Sequence, residues 1–173
     1  MNASARPQNR PTSRASSPLV PTHQADKNHA ARGRMARGKG QSGEREVAEI
    51  ISRLTGHDVR RRVRQHGGDS DLVGLPYWCV EVKRYASAPP GLVAQWWDQA
   101  VRQARDTLLL PVLFYRADRS GWRCVWNADL HRRPMPQPLC SDYEATVTGS
   151  PEAWWALCSG MIGLWTKNST ALA

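Results

Sequence analysis

The sequence predicts an α/β fold: a mixed β-sheet flanked by helices in the order α-β-β-β-α-β-β, with a C-terminal helical extension. Three observations lead there. A segment with apolar residues at helical spacing ends in glycine. Short β-branched runs broken by glycine and proline follow it. A second helical segment then separates two further strands. On this reading residues 39–127 form the core, residues 1–38 a basic arm and residues 128–173 the extension.

Ser42 is placed to cap a helix that runs to Thr55. Val47, Ile50, Ile51 and Leu54 recur on one face, and Gly56 supplies the stop. Residues 58–65 alternate around Val59 and Val63 and predict a strand that Gly67 and Gly68 break. Residues 71–73 and 77–83 predict two strands joined by a hairpin-like turn at Gly74, Leu75 and Pro76. In the second of these, Tyr77, Cys79, Glu81 and Lys83 share one face, while Trp78, Val80 and Val82 take the other.

After Pro89, Pro90 and Gly91, residues 92–108 predict a helix that gathers Leu92, Trp96, Gln99, Ala100 and Gln103. Residues 111–117 and 122–127 predict a strand pair with a turn at 118–121. A proline-rich loop follows, and then a helix over 150–164 with Pro151 in its first turn. Eight Trp against one Phe imply that tryptophan fills core and interface positions, although the Trp96-Trp97 and Trp154-Trp155 pairs also offer faces for stacking on bases.

Charge narrows the partners. The 173 residues carry a formal net charge of +9. Residues 1–39 hold eight Lys or Arg against the single Asp26 and almost no large apolar side chains. Such a segment cannot offset its ordering entropy by burial and reads as a disordered basic arm. Its positive charge suits an anionic partner such as nucleic acid, or it is a solvated tail. No apolar stretch reaches the roughly 18–20 residues of a membrane span, and mean hydropathy is −0.57. The basic N-terminus lacks the apolar stretch of a secretory signal. Cys79, Cys124, Cys140 and Cys158 lie far apart without zinc-site spacing, which fits a reduced, cytoplasmic setting. His57, His66 and His131 have no partners at ligand spacing and read as structural.

The chemistry concentrates in Glu44, Asp71, Glu81 and Lys83. Glu81 and Lys83 stand two apart on a strand and point to one side. A short turn folds Asp71, preferred here to Asp69, back beside Glu81, and Glu44 arrives from the first helix. For Glu44 a first-turn acid favoured by the helix dipole is the simpler alternative. Adjacent carboxylates raise each other's pKa unless a cation joins them. Hard oxygen ligands suit Mg²⁺ or Mn²⁺, which neutralise charge on a phosphate and activate water. A neighbouring lysine orients that water or stabilises the developing negative charge. The set therefore suits phosphodiester hydrolysis.

These residues also carry a resemblance. Asp71 followed by Glu81-Val82-Lys83 resembles the PD-(D/E)xK signature of restriction-endonuclease-like nucleases, with Ser70 in place of the usual proline. The K-G-Q-S-G-E-R-E run at 39–46, S-D-L-V-G at 70–74 and C-V-E-V-K at 79–83 resemble, in order, blocks of the archaeal-type Holliday junction resolvases. P-V-L at 111–113 and G-W-R at 121–123 resemble their closing hairpin. The likeness spans about residues 38–127 and points to a bacterial or phage-borne relative.

The resemblance implies a restriction-endonuclease-like fold and a catalytic set of Glu44, Asp71, Glu81 and Lys83. It implies metal ligation by Asp71, Glu81, Glu44 and the Val82 carbonyl. It gives Arg45 a DNA-phosphate contact, with Lys39, Arg60, Arg61, Arg62 and Arg64 as further DNA-binding candidates and no choice among the four arginines of 60–64. Gln99 is an accessory candidate or an interfacial amide. The expected protein is a Mg²⁺- or Mn²⁺-dependent endonuclease, most naturally a homodimeric resolvase of four-way DNA junctions, without a small-molecule cofactor or a membrane association. The alternatives are a nicking, repair or restriction-type nuclease of the same fold, or a non-catalytic DNA-binding accessory protein.

Overall fold

A computed structural model describes the backbone of residues 23–63, 69–107, 109–131 and 141–169; side chains are described from Gly38 to Gly160 within these spans, apart from Asp106 and His131. The chain divides into two compact units, Met1–Arg34 and Met35–Ala173. The described backbone of the first is helical.

The first helix, α1, spans His23–Thr55. It begins at His23, well before Ser42 and inside the segment read as a disordered basic arm, because Ala, Lys, Arg and Gln dominate residues 23–41 and favour helix. From Gly43 onward the expected apolar stripe appears, with Val47, Ala48 and Ile51 buried. Gly43 lets the helix lie close: a Cβ there would stand 3.3 Å from both Arg84 Cβ and Trp122 Cη2.

Two short strands follow, β1 (Arg60–Arg61) and β2 (Leu72–Val73), paired antiparallel with Arg60 opposite Val73. The strand expected over 58–65 is thus only two residues long, and Arg64 with His66 falls outside the described residues. Strand β3 (Trp78–Tyr85) starts a four-stranded sheet with β4 (Leu110–Ala117), β5 (Arg123–Asn127) and β6 (Thr146–Gly149) in the order β3-β4-β5-β6. β3 and β4 run parallel, and the other neighbours antiparallel. The crossover between β3 and β4 is helix α2 (Pro90–Thr107). The mixed sheet flanked by helices is the architecture expected.

Two details differ. The 71–73 and 77–83 segments form no ladder; β2 pairs with β1 instead, and contact with β3 is made by the Asp71 N–H donating to the Val80 carbonyl at 2.9 Å. Beyond residue 128, the chain returns to the sheet. Two 3₁₀ turns, Ala128–His131 and Tyr143–Ala145, are followed by β6 and by helix α3 (Pro151–Ser169). The sequence of β6, Thr-Val-Thr-Gly, is too short and polar to announce a strand.

The sheet separates two apolar clusters. Val80, Val82, Val112 and Phe114 pack with α1 and with Trp154 of α3. Leu113 and Val125 pack with Val93, Trp96, Trp97 and Ala100 of α2. Trp97, Trp126 and Trp154 are fully buried, so these tryptophans pack the interior rather than face solvent. Cys79, Cys124 and Cys158 are free thiols, and burial pushes Cys79 up to about 11 and Cys158 up to about 12, which leaves them inert. Among the described residues no helix is long and apolar enough to cross a membrane.

Candidate active site at the edge of β3

Strand β3 carries Glu81 and Lys83 toward the same side, as period-two alternation requires. Glu81 is 1% exposed. Lys83 Nζ stands 2.5 Å from its Oε1, whereas Oε2 is buried with no hydrogen-bond partner. A buried carboxylate oxygen left without a donor is costly and asks for a positive ligand.

Asp71 reaches the same place from the preceding segment. The Val82 N–H donates to Asp71 Oδ2 at 2.8 Å. The Asp71 backbone is fixed on both sides: its N–H donates to Val80 O and its carbonyl accepts from Arg62 N–H at 2.9 Å. Burial and then the Glu81 charge raise the Asp71 carboxyl to about 7; Glu44 adds to this, while the Val82 N–H and Lys83 oppose it. Asp71 and Glu81 therefore form an electrostatically frustrated acidic pair.

Ser70 provides a lock that the sequence did not reveal. It is 5% exposed, accepts the Val80 N–H at 3.0 Å, and bonds through its hydroxyl to the carbonyls of Leu72 (2.9 Å) and Val80 (3.1 Å). A side chain thus ties the residue before Asp71 to β3 where a ladder is missing. The only advance sign was its place directly before Asp71.

Glu44 projects from α1 but is engaged by Arg61 of β1 through a direct ion pair. Its charge is felt at Asp71, yet among the described residues no three His, Cys, Asp or Glu side chains form a group that could hold a metal ion. The structure thus brings together Asp71, Glu81 and Lys83 and leaves Glu44 beside them, paired elsewhere. The acidic pair still fits a hard cation, since the unpartnered Glu81 oxygen and the raised Asp71 carboxyl are both relieved by positive charge.

The basic candidates separate clearly. Arg45 is exposed on α1. Arg60 is exposed and paired with Asp58. Arg62 donates through Nε to the Ser70 carbonyl at 3.1 Å and lies 3.6 Å from Asp69. Lys39 donates to Asp118 at 2.6 Å. Gln99 is half-buried on α2. Its neighbour one turn on, Gln103, is buried with Oε1 unpartnered.

A second feature escaped the sequence reading. Glu46, two residues past Glu44, receives Arg84 Nη1 at 2.8 Å, Arg116 Nη1 at 2.8 Å, Trp122 Nε1 at 3.3 Å and Ser42 Oγ at 3.2 Å. Arg116 also sits over the Trp122 ring, 4.9 Å from its centroid. This cluster pins α1 onto β3 and β4 and so fixes where Glu44 stands.

With that geometry in view, known proteins add the following. A family profile described as "Phage putative PDDEXK endonuclease" matches residues 35–135. Among solved structures, the chain is similar to Hjc, a Holliday junction resolvase from the archaeal hyperthermophile Archaeoglobus fulgidus, with 23% identity, a TM-score of 0.40, and coverage of 49% of this chain and 74% of that one. No curated protein matches the chain.

Proposed function

Since the chain belongs to the phage PDDEXK endonuclease family, we propose that it is a divalent-metal-dependent DNA endonuclease whose preferred substrate is branched, such as a four-way junction. One observation carries the metal dependence: Asp71, held by the Val82 N–H, shares a buried edge with Glu81, whose Oε2 has no partner. Asp71, Glu81 and the Val82 carbonyl would hold Mg²⁺ or Mn²⁺, with Glu44 added if Arg61 releases it. When bound, the ion supplies charge neutralisation at the phosphodiester and a more acidic water.

The chain's own groups do the rest. Lys83 places its Nζ beside Glu81, where negative charge grows on the phosphoryl oxygens as water attacks. Val82 and Ser70 hold Asp71 in register, so no reorganisation is needed when substrate arrives. Arg45, Lys39 and the arginines of 60–64 offer phosphate contacts, and the basic segment at 1–38 adds sequence-independent attraction. The preference for branched DNA rests on the ordered motif blocks at 39–46, 70–74 and 79–83. Two symmetric nicks in one junction require a twofold pair of subunits, so the acting species is a homodimer. Its setting is the cytoplasm of a bacterial or phage-infected cell, in keeping with the free thiols of Cys79, Cys124 and Cys158.

The test is cleavage in Mg²⁺ of a labelled four-way junction beside a linear duplex, a flap and a single strand of matching sequence. Paired symmetric nicks in the junction alone are expected. Equal cleavage of all four would move the protein to a repair- or restriction-type nuclease. Tight binding without any cleavage would overturn the enzymatic reading.

A further inference from the structure

The tryptophan pairs that offered stacking surfaces are mostly interior, with Trp96, Trp97 and Trp154 buried. Tyr85, the last residue of β3, is 48% exposed and is the only aromatic exposed among the described residues.

Its placement follows from the sheet register. Glu81 lies opposite Leu113, Lys83 opposite Tyr115 and Tyr85 opposite Ala117. Leu113 and Tyr115 pack on the α2 side of the sheet, whereas Val80 and Val82 pack on the α1 side. Glu81, Lys83 and Tyr85 therefore follow one another along one face. At about 3.3 Å per residue, Tyr85 lies about 7 Å beyond Lys83 along the strand.

The ring is also fixed. Trp96 lies against it with centroids 4.9 Å apart and planes at 39°, and Trp96 in turn meets Tyr115 at 6.3 Å. Trp96 is 5% exposed, so the support is part of the core. A ring braced against the core and half exposed loses little freedom when a flat partner settles on it.

Resting on the nuclease reading of the neighbouring site, we propose that Tyr85 is a stacking platform for an unpaired DNA base beside the cleaved phosphate. Bases inside a duplex are already stacked on both faces and have none to offer. The substrate class that satisfies the platform is therefore DNA with an opened or single-stranded element beside the scissile bond: a branch point, a fork or a flap. Aromatic–base stacking tolerates any base, so the platform recognises structure rather than sequence.

The experiment measures binding of the full chain in EDTA to a splayed fork, a single strand and a linear duplex, for wild type, Tyr85→Ala, Tyr85→Phe and Tyr85→Trp. Tyr85→Ala is expected to weaken fork and single-strand binding about tenfold and to leave duplex binding within about twofold. Phe and Trp should restore the wild-type pattern, because they keep the aromatic face. Unchanged fork binding in Tyr85→Ala, or an equal loss on all three DNAs, overturns the platform. Wild-type cleavage in Mg²⁺ is scored separately. Cleavage without the fork-specific loss rejects the platform and keeps the nuclease; fork-specific loss without cleavage keeps the platform and rejects the nuclease.

Discussion

Val82 donates its backbone N–H to Asp71 Oδ2 at 2.8 Å, so the carboxyl of one segment is held by the strand that carries Glu81. The hydrogen bond favours the charged carboxylate, but burial and the Glu81 charge outweigh it and raise Asp71 to about 7. This balance sets how the metal-free protein responds to pH.

In the unfolded chain Asp71 titrates near 3.8. Between there and about 7 the folded protein binds more protons than the unfolded one, so stability in EDTA falls as pH rises through that window and levels off above it. Asp71→Asn removes this contribution. Its melting temperature in EDTA should exceed that of wild type at pH 8, by about 2–4 °C for each kcal/mol relieved, with the gap closing toward pH 4. Added Mg²⁺ should stabilise wild type and leave the variant unmoved. Thermal melts at the two pH values check both statements.

Lys83 is the ion partner of a glutamate that is 1% exposed. Lys83→Ala strands the Glu81 charge and should cost about 3 kcal/mol in urea unfolding. The double variant Glu81→Gln with Lys83→Met should recover most of that loss while remaining inactive. A double variant as unstable as the single would show that the stranded charge does not set the cost.

Ser70→Ala leaves the Val80 N–H without its side-chain acceptor in a buried place. A stability loss of about 1–3 kcal/mol is expected. Cleavage should fall as well, through kcat rather than KM, because Asp71 loses its register and not its affinity for DNA. Steady-state kinetics on a cleavable DNA separates the two.

Gly74 has φ +94, and a Cβ there would lie 2.2 Å from the Asp58 carbonyl oxygen. Gly74→Ala should therefore cost at least about 2 kcal/mol, read as a lower urea midpoint. The loss falls on the β1–β2 pair that carries Arg61, so DNA binding should weaken with it.

The legible part of the site lay where spacing alone dictates geometry. Glu81 and Lys83 are two apart on a strand, and Asp71 is separated from them by a short turn, so their convergence needed no knowledge of distant contacts. The helix-face pattern of Val47 and Ile51 was equally local, and both are buried as expected. Glu46 was opaque because its partners Arg84 and Trp122 are 38 and 76 residues away in the chain. β6 was opaque because four small residues gain strand character only from pairing with β5. The pairing of Arg61 with Glu44 depends on where β1 meets α1, which four candidate arginines within five residues could not reveal.

The most direct test of the central claim is single-turnover cleavage of an end-labelled four-way junction by wild type and Asp71→Asn, in Mg²⁺ and in EDTA, after both proteins are shown to bind the junction. Wild type should cut only with the metal. Asp71→Asn should be slower by at least about a thousandfold, since several kcal/mol of charge stabilisation are lost. Cleavage by Asp71→Asn at the wild-type rate, or by wild type in EDTA, would contradict a metal-dependent site built on Asp71 and Glu81.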